Sequence, residues 1–135
     1  MFDREQFDRL GPWTTRFKIN GQTVGGGYEV GEDDPLLRAF LDHAPVARRV
    51  LELGCMEGGR TFPLARRVGH VVGVDARREH LQRARFIERT LGVSNVTFLE
   101  SDLETGDLAA LGTFDVVYNV GLLYHLSDPA RLLQQ

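Results

Sequence analysis

Short apolar runs alternate with amphipathic stretches from residue 49 onwards, and this alternation predicts the fold. Four runs are rich in valine and leucine: VLEL at 50–53, HVVGVD at 70–75, NVTFL at 95–99 and FDVVYNV at 114–120. Their nearly continuous apolar character is typical of parallel strands that are buried on both faces. Strands that alternate with helices indicate an α/β fold with a doubly wound, mostly parallel sheet.

Helical signals fill the intervals between these strands. Apolar residues recur at spacings of three, three and four after the second strand: Leu81, Ala84, Ile87 and Leu91. This spacing places them on one helix face, and Gly92 follows where a C-cap glycine belongs. Asp34 and Pro35 form an N-cap and first-turn pair that opens an earlier helix, which Pro45 is expected to stop.

The first 34 residues have a different pattern. Side-chain type alternates over residues 13–24 on either side of Asn20-Gly21, a dipeptide that favours a two-residue hairpin turn. We therefore expect residues 1–34 to form an N-terminal extension, a hairpin or lid, and residues 35–135 to form the main domain. Trp13, Phe17 and Tyr28 are expected to bury this extension against the domain.

Composition narrows the function classes. The 135 residues carry a net charge of -3, with 42% hydrophobic and 26% charged residues, which is ordinary for one globular domain. This balance does not predict a broad nucleic-acid or membrane surface. A single cysteine, Cys55, excludes an internal disulfide, and no histidine spacing suggests a metal site. No apolar run reaches the roughly 18 residues of a membrane span, so we expect a cytoplasmic protein with no membrane partner.

The loop after the first predicted strand carries candidate chemistry. In GCMEGGRTF, residues 54–62, a glycine-containing turn follows a buried strand and precedes a helix, an arrangement that binds nucleotide-like cofactors. A nicotinamide cofactor brings a pyrophosphate that must approach the second glycine of G-x-G-x-x-G, and Met56 occupies that place. This substitution disfavours an NAD-dependent oxidoreductase. Left-handed geometry at Met56 would cost about 1–2 kcal/mol, so we expect an ordinary backbone conformation there.

Three acidic residues stand at or just beyond the predicted strand ends: Glu52, Asp75 and Asp102. A carboxylate at Asp75 can accept hydrogen bonds from both ribose hydroxyls, as acidic residues do in dinucleotide folds. Its alternative role is the N-cap of the following helix. Asp102 is a candidate for the amino group of an adenine, or alternatively a turn or cap aspartate.

Four segments together resemble the successive motifs of class I S-adenosylmethionine-dependent methyltransferases: VLELGCMEGG, VVGVDA, VTFLESDL and FDVVYNVGLLYHLSDP. They occur in the family's order and spacing over about residues 35–135. The last motif also resembles the branch that contains tRNA wobble-uridine carboxymethyltransferases. The resemblance implies a Rossmann-like fold and S-adenosyl-L-methionine as cofactor. Because the family's sheet continues beyond a fourth parallel strand, we expect this chain to be truncated after that strand.

The resemblance also implies a set of site residues. It places these residues around the cofactor: Glu52, Gly54, Cys55, Met56, Asp75, Ala76, Arg77, Asp102, Leu103, Val120 and Tyr124. Tyr124 and His125 are the candidates for contact with the acceptor or for removal of its proton, with a packed or capping role as the alternative for His125. The acceptor itself, and methyl against carboxymethyl transfer, stay open.

The predicted strand at 114–120 has a further consequence. As the last strand of an incomplete sheet it would be a long apolar edge, which is a template for pairing with another chain. We therefore expect self-association through residues 114–120 or through the N-terminal hairpin. An incomplete sheet and Met56 also favour an alternative function, a non-catalytic cofactor-binding or assembly module.

Overall fold

A computed structural model describes residues 1–44 and 46–135; Pro45, which the sequence predicts to stop a helix, lies outside the described residues. The helices are α1 (Arg4–Leu10), α2 (Pro35–His43), α3 (Thr61–Ala65), α4 (Arg78–Leu91) and α5 (Pro129–Leu133). The strands are β1 (Arg16–Ile19), β2 (Gln22–Gly25), β3 (Arg49–Leu53), β4 (His70–Asp75), β5 (Val96–Glu100) and β6 (Val116–Asn119). Two short 3₁₀ turns span Ala109–Leu111 and Leu123–His125.

The main sheet confirms the predicted α/β fold. Its four strands are all parallel and lie in the order β5-β4-β3-β6. The chain therefore steps outward from β3 to β5 and then returns to the other side of β3. This reversal, between β3 and β6, is the crevice in which doubly wound sheets bind ligands.

The last strand is shorter than the predicted 114–120. Before it begins, the Asp115 carboxylate accepts hydrogen bonds from the backbone N–H groups of Arg48 and Arg49 at 2.8 and 2.9 Å. After it ends, Gly121 turns the chain with a φ of 74°. The backbone N–H of Asp115 also donates to the carbonyl of Arg49 at 2.9 Å, so the chain is held against β3 just before the four residues of β6 and turns away just after them.

Helix ends follow the predicted signals. Asp34 accepts a hydrogen bond from the N–H of Leu37 at 2.9 Å, as an N-cap does. Gly92 ends α4 in the left-handed conformation with a φ of 67°. The sequence therefore specifies both the start of α2 and the end of α4.

The N-terminal extension contains the predicted hairpin and an additional helix. Asn20 and Gly21 join β1 to β2 with φ angles of 51° and 76°, which confirms the two-residue turn. The additional helix, α1, was not predicted, although Asp3 caps it by accepting a hydrogen bond from the N–H of Gln6 at 2.9 Å. An aspartate three residues before a glutamine was the available signal.

One face of the sheet carries the larger core, and the extension contributes to it. Phe7 and Phe17 are buried in the same cluster as Phe86 of α4 and Val50 of β3. Trp13 stacks on Phe7 with 4.2 Å between ring centroids, so the expected burial of the extension is confirmed for Trp13 and Phe17. It is wrong for Tyr28, whose side chain is exposed.

The other face carries a smaller core. Leu51 and Leu53 of β3 pack there against the segment from Leu103 to Leu108 and against Leu132 of α5. Beside this cluster a groove of about 440 Å³ runs along β6. Of the described helices, none is long and apolar enough to cross a bilayer.

Candidate cofactor site

The loop that follows β3 is tied to the end of β4. The backbone N–H groups of Gly54 and Cys55 both donate to the carbonyl of Val74, at 2.8 and 3.1 Å. The N–H of Met56 donates to Oδ2 of Asp75 at 2.9 Å. Three consecutive amides of the loop therefore bind the last two residues of β4.

The expectation of an ordinary backbone conformation at Met56 is wrong. Its φ is 50°, in the left-handed region that favours glycine. A non-glycine residue persists there only where its surroundings over-determine the backbone. In this loop the hydrogen bond to Asp75 fixes the amide of Met56, and the buried side chain of Glu57 fixes the next residue. The Met56 side chain points outward and is 36% exposed.

Asp75 is the central hydrogen-bond acceptor in this half of the site. It is 7% exposed and accepts three hydrogen bonds: from the N–H of Met56, from the N–H of Arg77 at 2.9 Å, and from Nδ1 of His80 at 3.3 Å. Burial alone raises the pKa of Asp75, but these hydrogen bonds outweigh it and hold the pKa below its ordinary value. An ionised carboxylate has about four acceptor positions, so one remains for a ligand hydroxyl.

Glu52, the residue before the last in β3, has a different environment. Its carboxyl group is buried, accepts a hydrogen bond from Oγ1 of Thr61 at 2.5 Å, and has its pKa raised to about 7, mainly by burial. Asp75 adds to this rise, while Thr61 and the charge of Arg60 oppose it. Glu52 therefore exchanges its proton near neutral pH, whereas Asp75 stays ionised.

Two polar groups beside Glu52 have no hydrogen-bond partner among the described residues. They are Nε of Arg60 and the hydroxyl of Tyr118, both buried. Tyr118 pairs with Glu52 in the β3–β6 register, so the two side chains leave the same face of the sheet. Burial raises the pKa of Tyr118 to about 12. The guanidinium of Arg60 also lies 5.5 Å from the ring centroid of Tyr28. Nothing in the local sequence singled out Arg60 or Tyr118.

The predicted adenine-side residues lie at the surface or in the core. Ala76 and Arg77 are exposed just after β4. Asp102 is exposed and accepts a hydrogen bond from the N–H of Glu104 at 2.9 Å, so it forms the turn that was the alternative reading. The side chain of Leu103 is buried in the smaller core. No hydrogen bond within the described ranges links Asp102 or Leu103 to Asp75.

The predicted acceptor side is open. Tyr124 is 79% exposed, and its ring touches that of His125 at a centroid distance of 4.2 Å. Neither side chain makes a hydrogen bond within residues 1–44 and 46–135. Val120 is partly buried against the larger core. Leu122 approaches Gly54, where a Cβ atom would lie 3.4 Å from Cδ1 of Leu122. This contact brings the segment after β6 against the cofactor loop.

Cys55 packs inside the loop, shielded from solvent. It is buried, and burial raises the pKa of its thiol well above the ordinary value, with Glu52 and Asp75 adding to the rise. Gly73 of β4 leaves room for it, since a Cβ atom there would lie 3.1 Å from Sγ of Cys55. Across the described part of the chain no three metal-ligating side chains converge.

Sequence comparison identifies relatives of this chain. A family model for a methyltransferase domain matches residues 46–135. The ubiquinone biosynthesis O-methyltransferase of Hahella chejuensis is 36% identical over 104 residues, which cover 76% of this chain and 43% of that protein. A tRNA U34 carboxymethyltransferase of Alteromonas mediterranea is 34% identical over 94 residues, or 65% of this chain and 28% of that protein.

Comparison with solved structures agrees with the sequence comparison. The crystal structure of the N-terminal domain of EvdMO1 with S-adenosylhomocysteine (SAH) bound has a TM-score of 0.88 and 38% identity, covering 99% of this chain and 60% of that one. The chain thus spans less than two thirds of the length of each of these relatives. Together they confirm the predicted resemblance and the predicted cofactor, S-adenosylmethionine. This chain belongs to the S-adenosylmethionine-dependent methyltransferase domain family.

Proposed function

We propose that this chain binds S-adenosylmethionine at the carboxyl ends of β3 and β4 and transfers its methyl group to an acceptor oxygen. One observation carries the proposal. Two buried carboxyl groups, Glu52 and Asp75, lie at the carboxyl ends of adjacent parallel strands, beside a glycine loop whose amides are already fixed. Such an arrangement suits a ligand with a ribose at one end and an ammonium group at the other.

The residues present fit the cofactor. The free acceptor position of Asp75 suits a ribose hydroxyl, and the backbone of Gly54, Cys55 and Met56 would border the amino-acid end. Glu52 would meet the ammonium group of that end. The buried and unpartnered polar groups of Arg60 and Tyr118 suit its carboxylate. Ala76, Arg77, Asp102, Leu103 and Val120 are proposed to line the remaining cofactor surface.

The chemistry asks little of the protein beyond positioning. The sulfonium of the bound cofactor activates its methyl carbon, so the rate depends chiefly on holding the acceptor in line. A base is needed only where the acceptor must lose a proton. We assign acceptor contact to the exposed pair Tyr124 and His125, which follow β6 at the sheet reversal.

A sugar hydroxyl is the acceptor class to test first. The N-terminal domain of EvdMO1 has also been crystallised in the presence of SAH and D-fucose, and that structure is 40% identical to this chain with a TM-score of 0.87. The ubiquinone biosynthesis relatives are O-methyltransferases. Both findings favour an oxygen acceptor, and the second also favours transfer of a methyl rather than a carboxymethyl group.

A second candidate is a cofactor-binding or assembly module without turnover. The exposed acceptor side favours it, as does the edge position of β6, where Val117 is 53% exposed. We propose self-association through this edge or through the β1–β2 hairpin, to be tested by solution scattering at high micromolar concentration. A strictly monomeric chain would contradict that part of the proposal. A cytoplasmic location is proposed as well.

The first experiment is calorimetric titration of S-adenosylmethionine and SAH into the purified chain, alongside Asp75→Ala. The matched control is Asp42→Ala, which removes an exposed carboxylate from α2. We expect micromolar binding by the wild type and by the control, and none by Asp75→Ala. A folded wild-type chain that binds neither compound would overturn the proposal. A second assay measures SAH release with D-fucose as the acceptor. Release indicates the enzyme, and binding without release favours the module without turnover.

A further inference from the structure

We propose that the N-terminal segment 10–15 holds the cofactor loop in its binding shape through Glu57, a positioning residue. The inference rests on the cofactor site proposed above and adds a second anchor to it, outside the ligand's reach. The partners of Glu57 in the extension, Thr14 and Thr15, precede the family match, which begins at residue 46. Affinity for the cofactor then depends on the extension.

The carboxylate of Glu57 is the centre of the contact. It is 0% exposed, and its Oε1 accepts hydrogen bonds from the backbone N–H groups of Thr14 and Thr15 at 2.9 and 2.7 Å. A buried carboxylate is tolerated only when it is paired and hydrogen-bonded. Because two of its donors are backbone groups of the extension, the position of Glu57 depends on where that segment lies.

Arg83 of α4 completes the contact. Its Nη1 lies 3.6 Å from Oε2 of Glu57, and its Nε donates to the carbonyl of Leu10 at 2.6 Å. The loop, the extension and α4 are thus joined in one closed set of polar contacts. The guanidinium is itself mostly buried, which reduces solvent screening of this ion pair.

Close approach of the two segments also needs a glycine. A Cβ atom at Gly59 would lie 2.8 Å from Cγ2 of Thr15, closer than real Cβ atoms come. The loop therefore presents bare backbone to the extension at the point where Thr15 binds Glu57. This packing is independent of charge, so it offers a separate way to perturb the contact.

Loss of the Glu57 contact would affect the cofactor site through Met56. Its left-handed backbone lies between two anchors, Asp75 on one side and Glu57 on the other. A strained residue relaxes when one of its restraints is lost. Release of Glu57 would let Met56 leave its positive φ and withdraw its N–H from Asp75, which disturbs the carboxylate proposed to bind the ribose.

A binding measurement tests this coupling with Glu57→Gln, which keeps the side-chain shape and removes the charge that Arg83 and the two amides face. We expect SAH affinity to fall about tenfold and hydrogen exchange of the Met56 amide in the ligand-free chain to accelerate. The control is Asp3→Ala, which removes the side-chain cap of α1 in the same extension without touching the loop. It should lower the melting temperature and leave SAH affinity within twofold.

A second variant keeps the proposal falsifiable if Glu57→Gln does not fold. Gly59→Ala retains every charge and displaces Thr15, so it should also weaken SAH binding and speed Met56 exchange. Either variant with a lower melting temperature but wild-type SAH affinity and wild-type Met56 exchange would overturn the inference. If the wild type itself binds no SAH, the proposed function fails, while the exchange data still decide whether Glu57 restrains Met56.

Discussion

The two halves of the proposed site are built in opposite ways. On the cofactor side Glu52, Glu57 and Asp75 are buried, and each accepts at least one hydrogen bond. On the acceptor side Tyr124 and His125 are exposed and make no side-chain hydrogen bond within the described ranges. The first half is preorganised before any ligand arrives, whereas the second presents side chains to solvent.

This contrast has a physical consequence for where changes matter. A buried carboxylate that fixes backbone amides acts on folding and binding together, because its loss leaves donors unsatisfied. An exposed aromatic or histidine acts only on what it touches. Variants on the cofactor side should therefore move stability and affinity together, and variants on the acceptor side should move turnover alone.

The largest effect is expected at Asp75. Asp75→Asn retains the shape but turns a donor toward the amide of Met56, so we expect a loss of about 2–3 kcal/mol in unfolding free energy, as for charged hydrogen bonds. SAH affinity should fall more than tenfold. Urea unfolding and calorimetry measure the two. A variant with wild-type stability and wild-type affinity would remove Asp75 from the centre of the site.

Low pH should remove the contribution of Asp75 to stability. Because hydrogen bonds lower the pKa of Asp75 in the folded state, its contribution to stability is present above the unfolded value of 3.8 and is lost as pH falls below it. Urea midpoints between pH 5 and pH 2.5 should therefore drop more steeply for the wild type than for Asp75→Asn. Parallel curves would contradict the hydrogen-bonding account.

A smaller effect, in the opposite pH direction, is expected at Glu52. Because the pKa of Glu52 is higher in the folded than in the unfolded chain, its protonated form favours folding. This contribution to stability is fully present below pH 4.5, the unfolded value, and is lost as pH rises through about 7. The ionised form is the one that attracts an ammonium group, so SAH affinity should increase by about tenfold between pH 6 and pH 7.5. Glu52→Gln should show a flat affinity over that range. A flat profile for the wild type would separate Glu52 from the ligand.

Met56 should respond by about 1 kcal/mol. Met56→Gly removes the cost of a left-handed non-glycine residue, about 1–2 kcal/mol, against a smaller loss from the freer unfolded chain. We expect a net gain in unfolding free energy. Asn20→Gly is the matched comparison, since Asn20 has a φ of 51° in the hairpin turn and asparagine tolerates that region. Destabilisation by Met56→Gly would show that its side chain matters more than its backbone.

The smallest effects on binding are expected on the acceptor side. Tyr124→Ala should leave SAH affinity within twofold and stability within about 0.5 kcal/mol, because the side chain is exposed. Methyl transfer to the acceptor should nevertheless fall. His125→Ala serves as the neighbouring comparison. A large loss of SAH affinity in Tyr124→Ala would mean that the two halves of the site are not separate.

Much of the cofactor side was predictable because its signals are local. Apolar runs mark β3 and β4, and a carboxylate at a strand end lies at the crevice in any doubly wound sheet. The hairpin turn at Asn20-Gly21 and the cap at Gly92 depend only on neighbouring residues. The bounds of β6 had no such local signal: the strand covers four residues of the apolar run, and Gly121 turns the chain just beyond it.

What the sequence by itself determined is therefore the order of the strands, the carboxylates at or just beyond their ends and the family of the chain; it missed α1, and the helix expected between β5 and β6 is only a 3₁₀ turn. Only the tertiary structure decided the conformation of Met56, the partners of Glu57 and the unpartnered groups of Arg60 and Tyr118. The reason is that these contacts join residues far apart along the chain. Glu57 meets Thr14 and Thr15 across more than 40 residues of chain. No periodicity or cap encodes such a contact, because it exists only once the extension and the domain share one core.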